Sequence, residues 1–149
     1  MRHLTIYADA SVIGGCEDPE FAADSLALWS RFVAGDHTLA LSAHTLRELR
    51  GAPDPVRERL REVPEPHVIV LPDTRAAAEL ADAYLARGVL GPGSHSDALH
   101  VALATVARVD VLVSWNFKHI VNLLFNSVNI EWGYGLVEIR SPKEVLEYE

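Results

Sequence analysis

The chain has 149 residues, of which 49% are apolar and 23% are charged. This composition excludes a disordered or fibrous protein, and the length suits one domain with one core. A formal net charge of −8 argues against a broad basic surface that grips long duplex nucleic acid, although a short nucleic-acid substrate is compatible with it. With one cysteine and no long apolar segment, the sequence predicts a cytoplasmic domain that neither spans a membrane nor forms an internal disulfide.

Five short apolar runs predict five strands. They lie at residues 4–8, 38–41, 68–71, 111–113 and 137–139. The segment between Asp9 and Asp18 contains two glycines and predicts a loop. We expect strand 68–71 to be buried on both faces, because all four of its residues are apolar.

Helices are predicted between the strands from apolar periodicity and capping residues. The predicted N-caps are Asp18, Ser42, Asp54, Asp73, Ser94 and Ser141. Ser94 and Asp97 have the spacing of a capping box, and residues 117–130 predict a mixed helix or a pair of turns. Short strands that alternate with helices predict a three-layer α/β fold, in which helices flank both faces of a mainly parallel central sheet.

Oxygen-bearing side chains follow the ends of these predicted strands. Asp9 comes directly after the first strand, Glu48 lies one turn into the helix after the second, and Asp97 opens a helix. Ser114 and Asn116 follow the fourth strand. Because the carboxyl ends of parallel strands meet at one edge, we expect these side chains to converge. A carboxylate cluster without thiolate ligands suits Mg²⁺ or Mn²⁺, and it predicts hydrolysis of a phosphate ester by metal-activated water.

Each of these residues also has an ordinary structural interpretation. Asp9 and Asn116 are typical of turns, and Glu48 is typical of a solvated helix face. Taken alone, Asp97 is typical of the reciprocal partner in a capping box. The functional interpretation depends on the four residues occurring together, in this order, on an α/β scaffold.

Four ordered segments carry a family pattern that covers nearly the whole chain. They are residues 6–11 (IYADAS), 46–49 (LREL), 96–104 (SDALHVALA) and 114–120 (SWNFKHI). Together they resemble the PIN-domain nucleases, and more narrowly the VapC-like toxins of bacterial toxin–antitoxin pairs. The resemblance implies one PIN-like domain over residues 1–149 and a metal-dependent endoribonuclease that uses Mg²⁺ or Mn²⁺.

The resemblance also implies roles for individual residues. Asp9 and Asp97 would be the main metal ligands, Glu48 would complete the acidic pocket, and Ser11 would support it. Asn116 stands where many family members carry a fourth aspartate. It offers a carbonyl oxygen but no charge, which favours one metal ion over two.

Further residues flank the predicted pocket. His100 follows Asp97 by three residues, so it is either a hydrogen-bond donor behind the metal ligands or a core histidine. Ser114 and Lys118 are candidates to support the ligands or to contact substrate, and loop solvation explains Lys118 equally well. A basic cluster suggests either contact with an RNA backbone or solvated helix charges paired with glutamates. It consists of Arg47, Arg50, Arg57, Arg59 and Arg61.

The expected partners follow from this resemblance. They are a single-stranded or structured RNA substrate, a small antitoxin, and a second copy of the chain that pairs through apolar positions in 21–33 or 123–132. The alternative is a catalytically weak or inactive PIN-fold module that binds RNA or protein, because Asn116 weakens the fourth site.

Two other phosphate chemistries fit the sequence less well. A phosphoacceptor domain that uses Asp9, Asp73 and Lys118 would leave Glu48 and Asp97 without a role. A phosphatase with an aspartyl nucleophile would need a second aspartate where Ser11 stands.

Overall fold

Five parallel strands form the centre of the computed structural model, which describes residues 2–91, 93–117 and 121–147. The strands are β1 (Thr5–Ala8), β2 (Thr38–Ser42), β3 (Val68–Leu71), β4 (Val111–Val113) and β5 (Ile139–Arg140). Their order in the sheet is β3-β2-β1-β4-β5, and all four neighbouring pairs are parallel. The parallel sheet is therefore confirmed, with β1 at its centre.

Helices cover both faces of this sheet. They are α1 (Ala10–Gly15), α2 (Ala22–Ala34), α3 (Ala43–Leu49), α4 (Asp54–Glu58), α5 (Arg75–Ala86), α6 (His95–Val106), α7 (Val121–Glu131) and α8 (Pro142–Glu147). Side chains of β1 alternate between two buried clusters: Tyr7 packs with residues of α5, α6 and α7, while Ile6 and Ala8 pack with residues of α1, α2 and α8. This alternation confirms the three-layer α/β fold. Among the described helices, none has the length and apolar character needed to cross a bilayer.

The start of the chain differs from the prediction. The segment after Asp9 forms helix α1 where a loop was expected, because the Asp9 side chain accepts the backbone N–H of Ser11 and caps the helix. Asp18 is not a helix cap. It accepts the backbone N–H of Glu20 in a turn, and α2 begins at Ala22 without a side-chain cap.

Some of the N-caps predicted for the rest of the chain are confirmed, and others are wrong. Ser42 caps α3 as predicted, and Ser141 forms a reciprocal capping box with Glu144 before α8. Thr74 caps α5 in place of Asp73. Ser94 precedes α6 but makes no side-chain cap hydrogen bond, so the predicted capping box with Asp97 is wrong.

Strand β3 lies at an edge of the sheet. Ile69 is 42% exposed and Val70 is 53% exposed, because β3 pairs with β2 on one side and no described strand covers its other side. The expectation that this strand is buried on both faces is therefore wrong.

Candidate active site

Asp9 lies at the carboxyl end of the central strand β1. It is 2% exposed. Its Oδ1 accepts hydrogen bonds from the Ser11 backbone N at 3.1 Å and from the Ser11 hydroxyl at 2.6 Å, and its Oδ2 accepts one from the Ser114 hydroxyl at 2.6 Å. Burial raises the pKa of Asp9, and the two serine hydroxyls oppose that rise. An ionised carboxylate here costs free energy that a nearby cation would reduce.

Asp97 lies in the first turn of α6 and is half-buried. Burial raises the pKa of Asp97, and the negative charge of Asp9 raises it further. The two carboxylates therefore lie close enough to repel each other. Among the described residues, none donates a hydrogen bond to the Asp97 carboxylate.

Glu48 lies on α3 and is held by two side chains of α6. Its Oε1 is 2.6 Å from Nε2 of His100, and its Oε2 accepts a hydrogen bond from the Ser96 hydroxyl at 2.9 Å. The hydrogen bond from His100 lowers the pKa of Glu48, and this effect outweighs the partial burial. Glu48 is thus an ionised carboxylate that already has partners, although its side chain is 33% exposed.

His100 is both a core histidine and a partner of Glu48. It is 2% exposed, and its Nδ1 lies 2.6 Å from the hydroxyl of Tyr7. That hydroxyl also contacts the hydroxyls of Ser42 at 2.7 Å and Thr45 at 3.3 Å. Burial raises the pKa of Tyr7 to about 12, so the hydroxyl stays protonated and fixes the imidazole ring. The interpretation of His100 as a core histidine is therefore confirmed, and its role behind the metal ligands stays a prediction.

The segment after β4 closes the site around Asp9. The backbone N of Asn116 donates a hydrogen bond to Oγ of Ser114 at 3.0 Å, and the backbone N of Trp115 donates one to Oγ of Ser11 at 3.0 Å. Ser114 is buried, whereas Asn116 is exposed. Lys118 lies outside the described residues.

The side chain of Trp115, which belongs to this segment, contacts Ser25 and Phe21. Its Nε1 donates a hydrogen bond to Ser25 at 2.9 Å, and its ring lies 4.6 Å from that of Phe21. A Cβ on Gly15 would come within 2.9 Å of the same Nε1, so glycine is needed for this contact.

Four of the five arginines in the basic cluster form ion pairs with acidic side chains. The pairs are Arg47 with Asp73, Arg57 with Asp54, Arg59 with Glu17 and Glu62, and Arg61 with Glu58. This pairing favours the interpretation of solvated helix charges over an RNA-binding surface.

Comparison with solved structures identifies the fold. A chain of VapBC2 from Rickettsia felis, crystallised with a DNA fragment from the promoter, aligns with a TM-score of 0.60 and 12% identity over 93% of this chain and 98% of that chain. Mycobacterium tuberculosis VapC20, a toxin that cleaves the sarcin-ricin loop, aligns with a TM-score of 0.56 and 20% identity over 91% of this chain and 98% of that chain. The chain has a PIN-like fold. No protein-family model matches the sequence, and neither does any curated protein.

The PIN-like fold brings together residues that sequence reasoning missed. His44 lies on α3 four residues before Glu48, and its Nε2 is 2.7 Å from the hydroxyl of Ser96. The signal for His44 is this spacing, which places both side chains on one helix face. Tyr7 carried no signal, because an aromatic residue in an apolar strand is typical of a core.

Proposed function

We propose that this protein is a cytoplasmic metal-dependent endoribonuclease that hydrolyses phosphodiester bonds and acts as the toxin of a toxin–antitoxin pair. The observation that carries this proposal is the pair Asp9 and Asp97. One is buried at the end of the central strand and the other is half-buried on α6, and each has a raised pKa. Two carboxylates that repel each other at the carboxyl edge of a parallel sheet form a suitable cation site.

The residues of this pair fit Mg²⁺ or Mn²⁺. Asp9 and Asp97 supply carboxylate oxygens, and the Asp97 carboxylate has no hydrogen-bond partner among the described residues. Glu48 would be a third ligand, either directly or through water, and Asn116 would contribute a neutral carbonyl at most. A bound ion would lower the pKa of a water molecule and neutralise charge on the phosphate oxygens.

The surrounding residues have positioning roles in this proposal. The hydroxyls of Ser11 and Ser114 each bind a different oxygen of Asp9, so they fix the orientation of its carboxylate. His100 and Ser96 do the same for Glu48. Lys118 follows β4 in the sequence and is proposed to contact a substrate phosphate.

The substrate and partners are proposed from the solved structures of similar fold. One of them is a toxin that cleaves the sarcin-ricin loop, which supports an RNA substrate, single-stranded or structured. The other belongs to VapBC2, which supports a small antitoxin partner. A homodimer is proposed from exposed apolar residues on or beside α7, among them Leu123, Ile130 and Trp132.

The test is cleavage of a mixed single-stranded RNA pool by the purified chain with Mg²⁺, with Mn²⁺ and with chelator. Asp9→Ala is compared with Asp54→Ala, whose side chain is 80% exposed on α4. We expect metal-dependent cleavage that Asp9→Ala loses and Asp54→Ala retains. A small protein encoded beside this chain that binds it and blocks cleavage would support the toxin assignment.

The second candidate is a PIN-fold module that binds RNA or protein without cleaving it. Two observations favour it: both oxygens of Glu48 already have partners, and the fourth position is an exposed, uncharged Asn116. RNA binding by the folded chain without cleavage under any metal condition would select this candidate and overturn the first.

A further inference from the structure

We infer that His44, Glu48 and His100 form a binding site for a transition-metal ion of the zinc class. We call these three residues the His–Glu–His cluster. One ligand atom from each residue lies within 4.8 Å of the other two. The site goes beyond the proposed Mg²⁺ site, because two of its three ligands are imidazole nitrogens.

The geometry suits a tetrahedral ion after small side-chain rotations. Nε2 of His44 is 4.0 Å from Oε1 of Glu48, and Nε2 of His100 is 2.6 Å from the same oxygen. Ligands about 2.0–2.1 Å from zinc in a tetrahedron are separated by about 3.3 Å, which lies between these two distances. Two histidines and one glutamate, with the fourth position open, are a known zinc donor set.

All three ligands of the cluster lie on helices. His44 and Glu48 are one turn apart on α3, and His100 reaches them from α6. The rings of His44 and His100 lie 4.7 Å apart between centroids. Side chains on packed helices hold ligand positions more accurately than side chains on loops.

The imidazoles are able to present free lone pairs. A neutral His44 carries a lone pair on Nε2 when the proton is on Nδ1. His100 coordinates through Nε2 when its Nδ1–H donates a hydrogen bond to the Tyr7 hydroxyl, 2.6 Å away. Such a bond to the second ring nitrogen is what orients most metal-binding histidines. The ion would replace the hydrogen bond between His100 and Glu48 and the contact between His44 and Ser96.

The cluster and the aspartate pair prefer different ions. Imidazole nitrogens favour Zn²⁺, Co²⁺ and Ni²⁺, whereas an all-oxygen set suits Mg²⁺. Glu48 is the residue that the two sites share. If the proposed nuclease function holds, an ion in the His–Glu–His cluster would withdraw Glu48 from the Mg²⁺ site, and Zn²⁺ would inhibit Mg²⁺-dependent cleavage.

The test measures metal binding, so it is independent of nuclease activity. Chelator-treated full-length protein is titrated with Co²⁺ in excess Mg²⁺, and the visible d–d absorption of bound Co²⁺ is followed. We expect the protein to bind one equivalent of Co²⁺ and to show the intense d–d absorption of a tetrahedral site. Added Zn²⁺ should displace the Co²⁺ and abolish this absorption. His44→Gln should weaken Co²⁺ binding by at least about tenfold, because one nitrogen ligand is lost.

Two matched variants separate this site from others. His3→Gln alters an exposed histidine at the opposite end of β1 and should leave Co²⁺ affinity unchanged. Asp97→Asn removes a charge near the cluster but none of its ligands, so it should weaken Co²⁺ binding less than His44→Gln does. Circular dichroism establishes that each variant is folded. Equal Co²⁺ affinity in His44→Gln and the parent would overturn the inference, as would a band that Asp97→Asn removes and His44→Gln does not.

Discussion

The aspartate pair and the His–Glu–His cluster shift the pKa values of their carboxylates in opposite directions. In the aspartate pair, burial and mutual repulsion raise the pKa of Asp97, and burial raises the pKa of Asp9. In the His–Glu–His cluster, the hydrogen bond from His100 lowers the pKa of Glu48. In the aspartate pair, the described residues therefore compensate the negative charge poorly. In the His–Glu–His cluster, His100 compensates the charge of Glu48.

This difference indicates where stability has been given up for function. A group whose pKa is raised in the folded state destabilises the fold when it ionises, and one whose pKa is lowered stabilises it. Removing the charge of Asp97 and removing the charge of Glu48 should therefore change stability in opposite directions. Activity depends on both residues in the proposed mechanism, so stability and activity are separable at Asp97.

The largest expected effect is that of Asp97→Asn. We expect RNA cleavage to fall by at least about 100-fold, because a metal ligand that contributes several kcal/mol to catalysis is lost. In metal-free buffer at pH 7 the same variant should unfold at a higher temperature than the parent, since the repulsion with Asp9 is removed. Cleavage assays and thermal unfolding of the two proteins measure both effects.

The pH dependence checks the cause of that stabilisation. The pKa of Asp97 is raised above its ordinary value of 3.8 in the folded state. The parent therefore loses stability as the pH rises from 3.8 through this raised pKa and the carboxyl ionises. The difference in melting temperature between Asp97→Asn and the parent should therefore disappear below pH 3.8. Full cleavage by folded Asp97→Asn protein would contradict the assignment of this residue, and a lower melting temperature at pH 7 would contradict the proposed repulsion.

A smaller effect of opposite sign is expected for Glu48→Gln. The variant exchanges a charge-assisted hydrogen bond to His100 for a neutral one, which should lower the free energy of unfolding by about 1 kcal/mol after allowance for partial exposure. The difference in the free energy of unfolding between Glu48→Gln and the parent should have its full size above pH 4.5, the ordinary glutamate pKa. It should disappear as the pH falls through the lower pKa that Glu48 has in the folded state. Denaturant unfolding over this pH range measures it.

Glu58→Gln is the matched control, because Glu58 pairs with Arg61 on an exposed surface. It should change the free energy of unfolding by less than about 0.5 kcal/mol. If the two glutamate variants prove equally stable, the compensation of Glu48 by His100 does not contribute to stability, and the contrast between the aspartate pair and the His–Glu–His cluster fails.

The sequence predicted the sheet better than the exposure of its strands. Strands β3 and β4 were predicted at their observed bounds, and β1 and β2 within one residue, because short apolar runs are a local signal. Strand β5 was predicted at 137–139 and is observed at Ile139–Arg140. The exposure of Ile69 and Val70 was missed because it depends on the position of β3 at the sheet edge. No local pattern encodes that position, since it is set by how the whole sheet is ordered.

The same distinction applies to the site. Asp9 and Asp97 were predicted as ligands because strand ends and helix starts can be read locally. In the fold the charge of Asp9 acts on Asp97, and their role as ligands stays a prediction. The contacts of Glu48 with His100 and of His100 with Tyr7 join residues 52 and 93 positions apart. Such contacts follow from the packing of α6 against the sheet and carry no local signal. The i, i+4 spacing of His44 and Glu48 is local, but the sequence analysis missed it.

The smallest expected effect concerns the fourth position. Asn116 is exposed, and its backbone N is bonded to the same Ser114 hydroxyl that donates to Asp9. Asn116→Asp adds a carboxylate at the rim of the aspartate pair, so we expect Mg²⁺ and Mn²⁺ to bind about two- to tenfold more tightly. Isothermal titration of the metal-free protein measures the affinity. Ser30→Asp adds the same charge at an exposed position on α2 and controls for net charge. An equal gain in both variants would show that only long-range charge acts, and an unchanged affinity in Asn116→Asp would place this residue outside the metal site.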